Sequence, residues 1–170
     1  MSQNNPSILH VGLDVAKDSL QLDLAGQSHA LANDAKGHAQ LLKLLRPHPG
    51  AHVVCEATGG YEQPAVRALH AALVPVSIVE AGRVRHFDKA QGQRAKTDPI
   101  DAAVLSAYGR TFQPAATAAP TPQQARLAEY STRRQQLLGD LTAETNRAAH
   151  YLDPGVVRQA CDHRRHLEKQ

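Results

Sequence analysis

The N-terminal part of the chain alternates short apolar runs with polar breaks, which is the pattern of strands and turns. Residues 8–15 form an apolar run rich in β-formers, and residues 19–24 (Ser-Leu-Gln-Leu-Asp-Leu) alternate polar with apolar positions, as in a half-buried strand. A turn at residues 25–27 (Ala-Gly-Gln) then allows residues 28–32 to return as a third strand. The pattern predicts an antiparallel meander of three strands.

Beyond this meander the pattern changes to helices that alternate with buried strands. Asn33 or Asp34 suits the N-cap of a leucine-rich amphipathic helix, which the prolines at 47 and 49 end. The next predicted elements are a strand over 51–55, a helix from Gly59-Gly60 to about Ala72, and a strand over 74–79. Because the last strand follows a helix, we expect it to pair in parallel.

The second half of the chain is polar and basic at first and then helical. Residues 111–122, rich in Pro, Ala and Thr, are typical of a linker. From 123 to about 152 an apolar heptad seam, interrupted at Arg134 and Glu144, predicts a long helix that could form a coiled coil. We therefore expect a domain at 1–110, the linker at 111–122 and a helical extension at 123–170, whose charged tail is also helical.

The order of the predicted elements indicates the fold class. Three strands, helix, strand, helix, strand and helix is the order of the ribonuclease H-like α/β fold, a mixed five-stranded sheet with flanking helices. In that sheet the first and fourth strands lie side by side at the centre. Asp14, near the end of the first strand, and Glu56, after the fourth, are then expected to be neighbours.

Four acidic residues in three short segments are the strongest candidates for chemistry. Asp14 and Glu56 lie at or near the ends of buried strands, where a carboxylate is costly unless its charge is compensated. Asp98 and Asp101 lie in the segment Asp-Pro-Ile-Asp. Oxygen donors from three elements suit two Mg²⁺ or Mn²⁺ ions about 3.5–4 Å apart, one for the attacking and one for the leaving oxygen. The set predicts a metal-dependent phosphodiester site.

Each of these acids also has a purely structural explanation. Asp14 could cap a turn, and Glu56 could lie at the sheet rim beside a helix N-terminus. Asp98 suits an N-cap, with proline at the first helical position and Asp101 at the third. The same helix start places the two carboxylates on one face of the first turn. From the residues alone, both interpretations stay open.

Basic residues flank the acids and predict contact with a nucleic-acid backbone. They are Lys17 after the first strand, and Arg83, Arg85, Lys89, Arg94 and Lys96 ahead of the Asp pair. Cations of this kind hold phosphates over catalytic acids, although they could equally form a solvated helix face.

The amino-acid composition excludes few classes of function. The formal net charge of +3 is compatible with nucleic acid without requiring it. Two cysteines, far apart in the sequence, form no metal or disulfide framework and favour a reducing cytoplasm. The chain has neither an apolar run of ~18 residues nor a signal-peptide pattern, so we expect a soluble intracellular protein with no membrane partner.

Three sequence blocks carry a family resemblance. They are VGLDVAKDSL (11–20), CEATGGYEQPAVRAL (55–69) and VRHFDKAQGQRAKTDPIDAAVLS (84–106). Together they resemble the N-terminal half of the DEDD transposases of insertion-sequence family one-hundred-ten, which includes the pilin-gene invertase relatives. The segment RRQQLLGDLTAETNR (133–147) is similar to the coiled-coil segment of that family.

The resemblance implies both a fold and an activity. The fold is the RuvC-like form of ribonuclease H, whose acidic tetrad, here Asp14, Glu56, Asp98 and Asp101, binds Mg²⁺ or Mn²⁺ and catalyses DNA strand cleavage and transfer. It further implies DNA and a structured guide RNA as partners, and a homo-oligomer assembled through the helix at 123–152. The implied location is the bacterial cytoplasm, at the nucleoid.

The chain departs from the family pattern after Asn146. Family members continue into a second domain with a nucleophilic Ser, and no serine of this chain matches that motif. We therefore expect a truncated or naturally shortened protein that does not complete strand transfer by itself. Two alternatives are a non-catalytic fragment that binds nucleic acid and dimerises, and an actin-like phosphotransferase lobe. Residues 12–14 (Gly-Leu-Asp) fit the lobe loosely, but its second phosphate loop is not evident.

Overall fold

The protein is represented by a computed structural model that describes the backbone of residues 8–91 and 98–170 and the side chains of 8–91 and 101–170. The chain divides into two compact units, Met1–Ala119 and Pro120–Gln170. Within the described residues the first unit contains a sheet and four helices, and the second contains two helices.

The elements follow the predicted order with one addition. The strands are β1 (Leu9–Val15), β2 (Ser19–Leu24), β3 (Gln27–Ala32), β4 (Ala51–Glu56) and β5 (Val76–Val79). The helices are α1 (Ala35–Leu45), α2 (Gln63–Ala71), α3 (Ala81–Ala90), α4 (Asp98–Phe112), α5 (Pro122–Ala148) and α6 (Pro154–Leu167). The sequence pattern did not predict α3, because this charged helix buries few apolar side chains, chiefly Val84.

The sheet has the strand order β3-β2-β1-β4-β5. The first three strands pair antiparallel as a meander, and β4 and β5 pair in parallel with their neighbours. This mixed five-stranded sheet with flanking helices confirms the predicted ribonuclease H-like fold class. Strands β1 and β4 are adjacent at the centre, with Leu13 beside Cys55 in the register.

Two hydrophobic cores cover the two faces of the sheet. Odd-numbered residues of β1, including Val11 and Leu13, pack with α1 and α2 in the larger core. On the opposite face Val54 packs with Leu105 and Tyr108 of α4 and with Val84 of α3. Since strand side chains alternate between faces, β4 contributes to both cores, with Val53 in the larger one and Val54 in the other. Helix α1 begins at Asp34, whose side chain accepts a hydrogen bond from the Gly37 N–H, so Asp34 is the N-cap and Asn33 is not.

Residues 113–119, which fall within the predicted linker, run beside the edge strand β5. The Thr117 N–H donates to the Val76 carbonyl at 2.8 Å, and the Ile78 N–H donates to Thr117 Oγ1 at 3.0 Å. The buried Ser77 hydroxyl donates to the Ala115 carbonyl at 2.8 Å. The first two bonds occupy backbone groups of an edge strand that would otherwise be open to another chain.

The second unit is a pair of helices, and the long helix predicted from residue 123 is confirmed as α5. The helix ends at Ala148, earlier than the predicted 152. Glu144, which interrupts the apolar seam, is buried and lies 3.3 Å from Arg147 Nη1 and 3.6 Å from His163 Nδ1 of α6. The seam is therefore broken where α5 pairs with α6. In the ranges 8–91 and 98–170, no helix combines the length and the apolar character that a membrane span requires.

Candidate active site

An open cleft of about 160 Å³ lies where the central strands β1 and β4 end. Asp14 of β1, Glu56 of β4 and Asp101 of α4 line it. The other lining residues are Thr58, Val84, Arg85, Asp88, Val104 and Leu105. The structure therefore brings three of the four predicted acids together at one place.

The alternation of the strands explains why two of these acids share a face. Gly12 and Asp14 are two residues apart on β1, so both side-chain positions are directed toward α4. Val54 and Glu56 have the same relation on β4, and Val54 belongs to the core that contains α4. Because β1 and β4 are adjacent parallel strands, their acidic ends meet at one edge of the sheet.

A close approach between α4 and β1 places Asp101 near Asp14. A Cβ atom at Gly12 would lie 1.9 Å from the Ala102 carbonyl oxygen, so only glycine permits this contact. The Ser106 hydroxyl accepts a hydrogen bond from the Gly12 N–H at 2.7 Å and donates to the Asp23 carbonyl at 3.2 Å. These contacts hold α4 against the sheet. On α4 they include Ala102, which directly follows Asp101, and on β1 they involve Gly12, which is two residues before Asp14.

A buried carboxylate organises the loop that follows Glu56. Glu62 is only 4% exposed, and its Oε2 accepts from the Thr58 N–H, the Thr58 hydroxyl and the Gly60 N–H at 3.1, 2.7 and 2.9 Å. Its Oε1 accepts from Gln63 Nε2 at 2.9 Å. Burial acts to raise the pKa of this carboxyl, but the hydrogen bonds from Thr58, Gln63 and the loop backbone outweigh it and lower the pKa to about 2.

Asn33 joins the two loops that follow Asp14 and Glu56. Its Nδ2 group donates to the Ala16 carbonyl at 2.9 Å and to the Tyr61 carbonyl at 3.0 Å. Its Oδ1 lies 2.9 Å from His38 Nε2 on α1, so that ring nitrogen carries the proton it donates. The amide thereby uses its two N–H donors and its oxygen to connect the two loops with α1.

The predicted basic residues occupy different positions. Arg85 lines the cleft itself. Lys17 in the β1–β2 turn and Lys89 of α3 are exposed. Arg83 is also exposed, and its Nε lies 3.7 Å from a Glu80 carboxylate oxygen.

Three predicted residues fall partly or wholly outside the described residues. Helix α4 begins at Asp98, three positions before Asp101, but the Asp98 side chain lies outside the described part. Arg94 and Lys96 lie outside the described residues entirely.

Sequence reasoning missed several residues that the structure places at or beside the cleft. Asp88 lines it one helical turn after Arg85, and the i, i+3 spacing could have revealed the pair only if α3 had been predicted as a helix. Glu62 and Ser106 gave no signal, because their partners depend on loop geometry and on contacts distant in sequence.

The cleft offers the donor chemistry of a hard divalent cation. Carboxylate oxygens are the ligands that Mg²⁺ and Mn²⁺ prefer in proteins, and Asp14, Glu56 and Asp101 supply them. Within the residues that the structure describes, however, no three His, Cys, Asp or Glu side chains are arranged so that they could hold a metal ion. The described acids therefore match the ion in chemistry without forming a complete coordination shell.

Solved structures with a similar fold include two of RuvC. One is RuvC of T. thermophilus in complex with a Holliday junction substrate, at 14% sequence identity and a TM-score of 0.48, covering 63% of this chain and 97% of that chain. The other, a Thermus thermophilus RuvC structure, has 15% identity and a TM-score of 0.47, covering 63% and 98%. Because both scores are below 0.5, the fold assignment rests on the strand order itself.

Two similar proteins and one family model relate the chain to known sequences. The pilin gene-inverting proteins of Moraxella lacunata and Moraxella bovis are each 27% identical over 113 residues, which is 62% of this chain and 35% of the relative. The chain thus spans about a third of the length of these curated relatives. The transposase family model DEDD_Tnp_IS110 matches residues 11–155. Since this match covers most of the sequence, the chain belongs to the IS110 family of DEDD transposases.

Proposed function

We propose that this chain is the catalytic domain of a metal-dependent DNA transposase or recombinase, which cleaves and transfers phosphodiester strands at the cleft. The observation that carries the proposal is the meeting of Asp14, Glu56 and Asp101 at one open cleft. Family membership supports it, because DEDD transposases act on DNA and generally use divalent metal ions. The names of the pilin gene-inverting relatives point to the same class of DNA rearrangement.

The proposed roles of Asp14, Glu56, Asp101 and Arg85 rest on their places at the cleft, and that of Asp98 rests on the sequence and the family resemblance. Asp14, Glu56 and Asp101, with Asp98 as the proposed fourth ligand, would hold Mg²⁺, with Mn²⁺ as a substitute. When bound, such ions activate the attacking oxygen and stabilise the leaving oxygen of a phosphodiester. Arg85 lowers the repulsion between the carboxylates of the cleft and offers a guanidinium group to a substrate phosphate.

The proposed DNA path follows the exposed cations near the cleft. Lys17 extends from the turn after β1, and Lys89 lies one turn beyond Arg85 on α3. Arg83 is available because its exposed ion pair with Glu80 contributes little, and Arg94 and Lys96 are proposed from sequence alone. By resemblance to the family, we propose that a structured guide RNA selects the DNA.

A metal titration tests the catalytic proposal. Calorimetry is expected to detect Mn²⁺ binding to the wild-type chain, and Asp14→Asn is expected to weaken that binding about tenfold or more, because one anionic ligand is lost. Asp18→Asn is the matched control, since Asp18 is exposed in the following turn and does not line the cleft. The metal site would be rejected if the wild type bound no Mn²⁺, or if Asp14→Asn and Asp18→Asn behaved alike.

A nicking assay separates catalysis from binding alone. The chain is mixed with duplex DNA, Mn²⁺ and the family's Ser-bearing domain supplied in trans. Metal-dependent nicking that is lost in Asp14→Asn supports the recombinase. Salt-dependent DNA binding without nicking supports instead a non-catalytic fragment that binds nucleic acid and dimerises.

We also propose that α5 assembles the chain into a homo-oligomer. Leu127 is 69% exposed and Tyr130 is 63% exposed, and both lie on the predicted heptad seam. In sedimentation analysis the wild type is expected to be dimeric or larger, and Leu127→Glu with Tyr130→Glu to be monomeric, because two charges enter an apolar seam. Leu152→Glu, at a residue 97% exposed outside α5, is the control. A monomeric wild type, or an oligomer unchanged by the double substitution, would exclude this seam as the interface.

A further inference from the structure

We propose that Ser106 is a positioning residue for the candidate active site, and that its buried hydroxyl sets the separation of Asp14 and Asp101. The inference rests on the proposed function of the cleft. Ser106 is on α4 and lines no part of the cleft, so it would act through the two acids rather than on the substrate.

The Ser106 hydroxyl joins α4 to two strands at a single point. The residue is fully buried, and its Oγ accepts from the Gly12 N–H of β1 at 2.7 Å and donates to the Asp23 carbonyl of β2 at 3.2 Å. Gly12 and Asp23 are register partners in the antiparallel pair. One side chain of the helix therefore bonds to both members of a strand pair.

This junction lies close to both acids along the backbone. Gly12 is two residues before Asp14, and Ala102 directly follows Asp101. The Ala102 carbonyl oxygen and the Ser106 N atom would be 1.9 and 2.7 Å from a Cβ atom at Gly12, so the backbones of α4 and β1 are in contact there. A displacement of α4 at this contact is transmitted to Asp101 through one peptide unit.

The hydroxyl is needed because the groups it serves are buried. Without it, the interstrand carbonyl and N–H of Asp23 and Gly12 would lose a partner on the helix, and a buried polar group without a partner is costly. The helix would then be expected to shift to a different distance from β1. Metal sites tolerate misplacement of a ligand by only about 0.5 Å. Such a shift would therefore weaken the binding of a cation that Asp14 and Asp101 share.

The chain offers a matched control for a merely structural effect. Ser77 is 1% exposed, lies 2.8 Å from His52 Nε2 and donates to the Ala115 carbonyl at 2.8 Å. It is on β5 and does not line the cleft. Ser77→Ala therefore removes from the same unit a buried hydroxyl with hydrogen-bond partners in His52 and Ala115, and it leaves the contact between α4 and β1 unchanged.

The test compares Ser106→Ala, Ser106→Cys and Ser77→Ala in the full chain. Both alanine variants are expected to lower the melting temperature. Titration of the Asp14 and Asp101 carboxyls, followed by ¹³C NMR without metal, is expected to change in Ser106→Ala and to stay as in the wild type in Ser77→Ala. Mn²⁺ affinity is expected to fall about tenfold in Ser106→Ala and less than about twofold in Ser77→Ala. Ser106→Cys, which keeps a weak donor of similar size, is expected to lie between wild type and Ser106→Ala.

The experiment distinguishes a failure of the Ser106 inference from a failure of the proposed function. If the wild type bound no Mn²⁺, the metal proposal would fail, and the metal-free carboxyl titration would still decide the positioning role. Unchanged titration and affinity in Ser106→Ala, or equal changes in Ser77→Ala, would overturn the inference. If Ser106→Ala did not fold, Ser106→Cys would decide it by the same two measurements.

Discussion

Replacing Gly12 with Ala is expected to destabilise the first unit by roughly 3 kcal/mol or more. The new Cβ would lie 1.9 Å from the Ala102 carbonyl oxygen and 2.7 Å from the Ser106 N atom. These are backbone atoms of α4 and cannot rotate away. The whole helix must move outward, which breaks the bond between Gly12 and Ser106 and opens the core around Leu105.

Urea unfolding followed by circular dichroism measures this effect. Gly50→Ala is the matched control, because no atom lies within 4 Å of a Cβ at Gly50 and its φ is not in the left-handed region. That control is expected to change the free energy of unfolding by no more than about 0.5 kcal/mol. A stability for Gly12→Ala within about 1 kcal/mol of wild type would mean that α4 and β1 are not in direct contact.

Glu62→Gln is expected to destabilise the protein by roughly 2–3 kcal/mol at pH 7. The carboxylate accepts hydrogen bonds from Thr58, Gly60 and Gln63, whereas an amide offers a single oxygen and sets its NH₂ group against their donors. The pKa of Glu62 is about 2, against an ordinary value of 4.5. This difference means that the ionised carboxylate contributes at most about 3 kcal/mol to the free energy of unfolding.

The destabilisation caused by Glu62→Gln is expected to depend on pH. A carboxyl whose pKa is lowered by folding contributes its full stability above its unfolded pKa, here 4.5, and loses it as the pH falls through about 2. The difference in unfolding free energy between wild type and Glu62→Gln is therefore expected to be constant from pH 7 to 5 and to shrink below pH 4.5. Glu80→Gln, at an exposed residue, is the control. A difference that stayed constant down to pH 3 would show that the charge of Glu62 is not responsible.

The hydrophobic pattern predicted the sheet because strands β1 to β5 have local signatures. Residues 19–24 alternate between a buried face and a polar face, and β2 occupies the predicted residues. The alternation also places Asp14 and Glu56 on the face toward α4, since each is two residues from a position on that face. Helix α3 escaped prediction because its residues are largely charged, and its stability comes from packing by Val84 and Phe87.

The sequence by itself determined the strand pattern, the meander and parallel pairing, the likeness to the transposase family and the candidate acids. Tertiary structure alone decided that Asp101 stands beside Asp14 and Glu56, that Asp88 and Arg85 share their cleft, and that Ser106 ties α4 to the sheet. The physical reason is the separation along the sequence of the residues that interact. Strand periodicity is set by neighbouring residues, whereas Gly12 and Ser106 are 94 positions apart and their contact exists only when the sheet and α4 pack together.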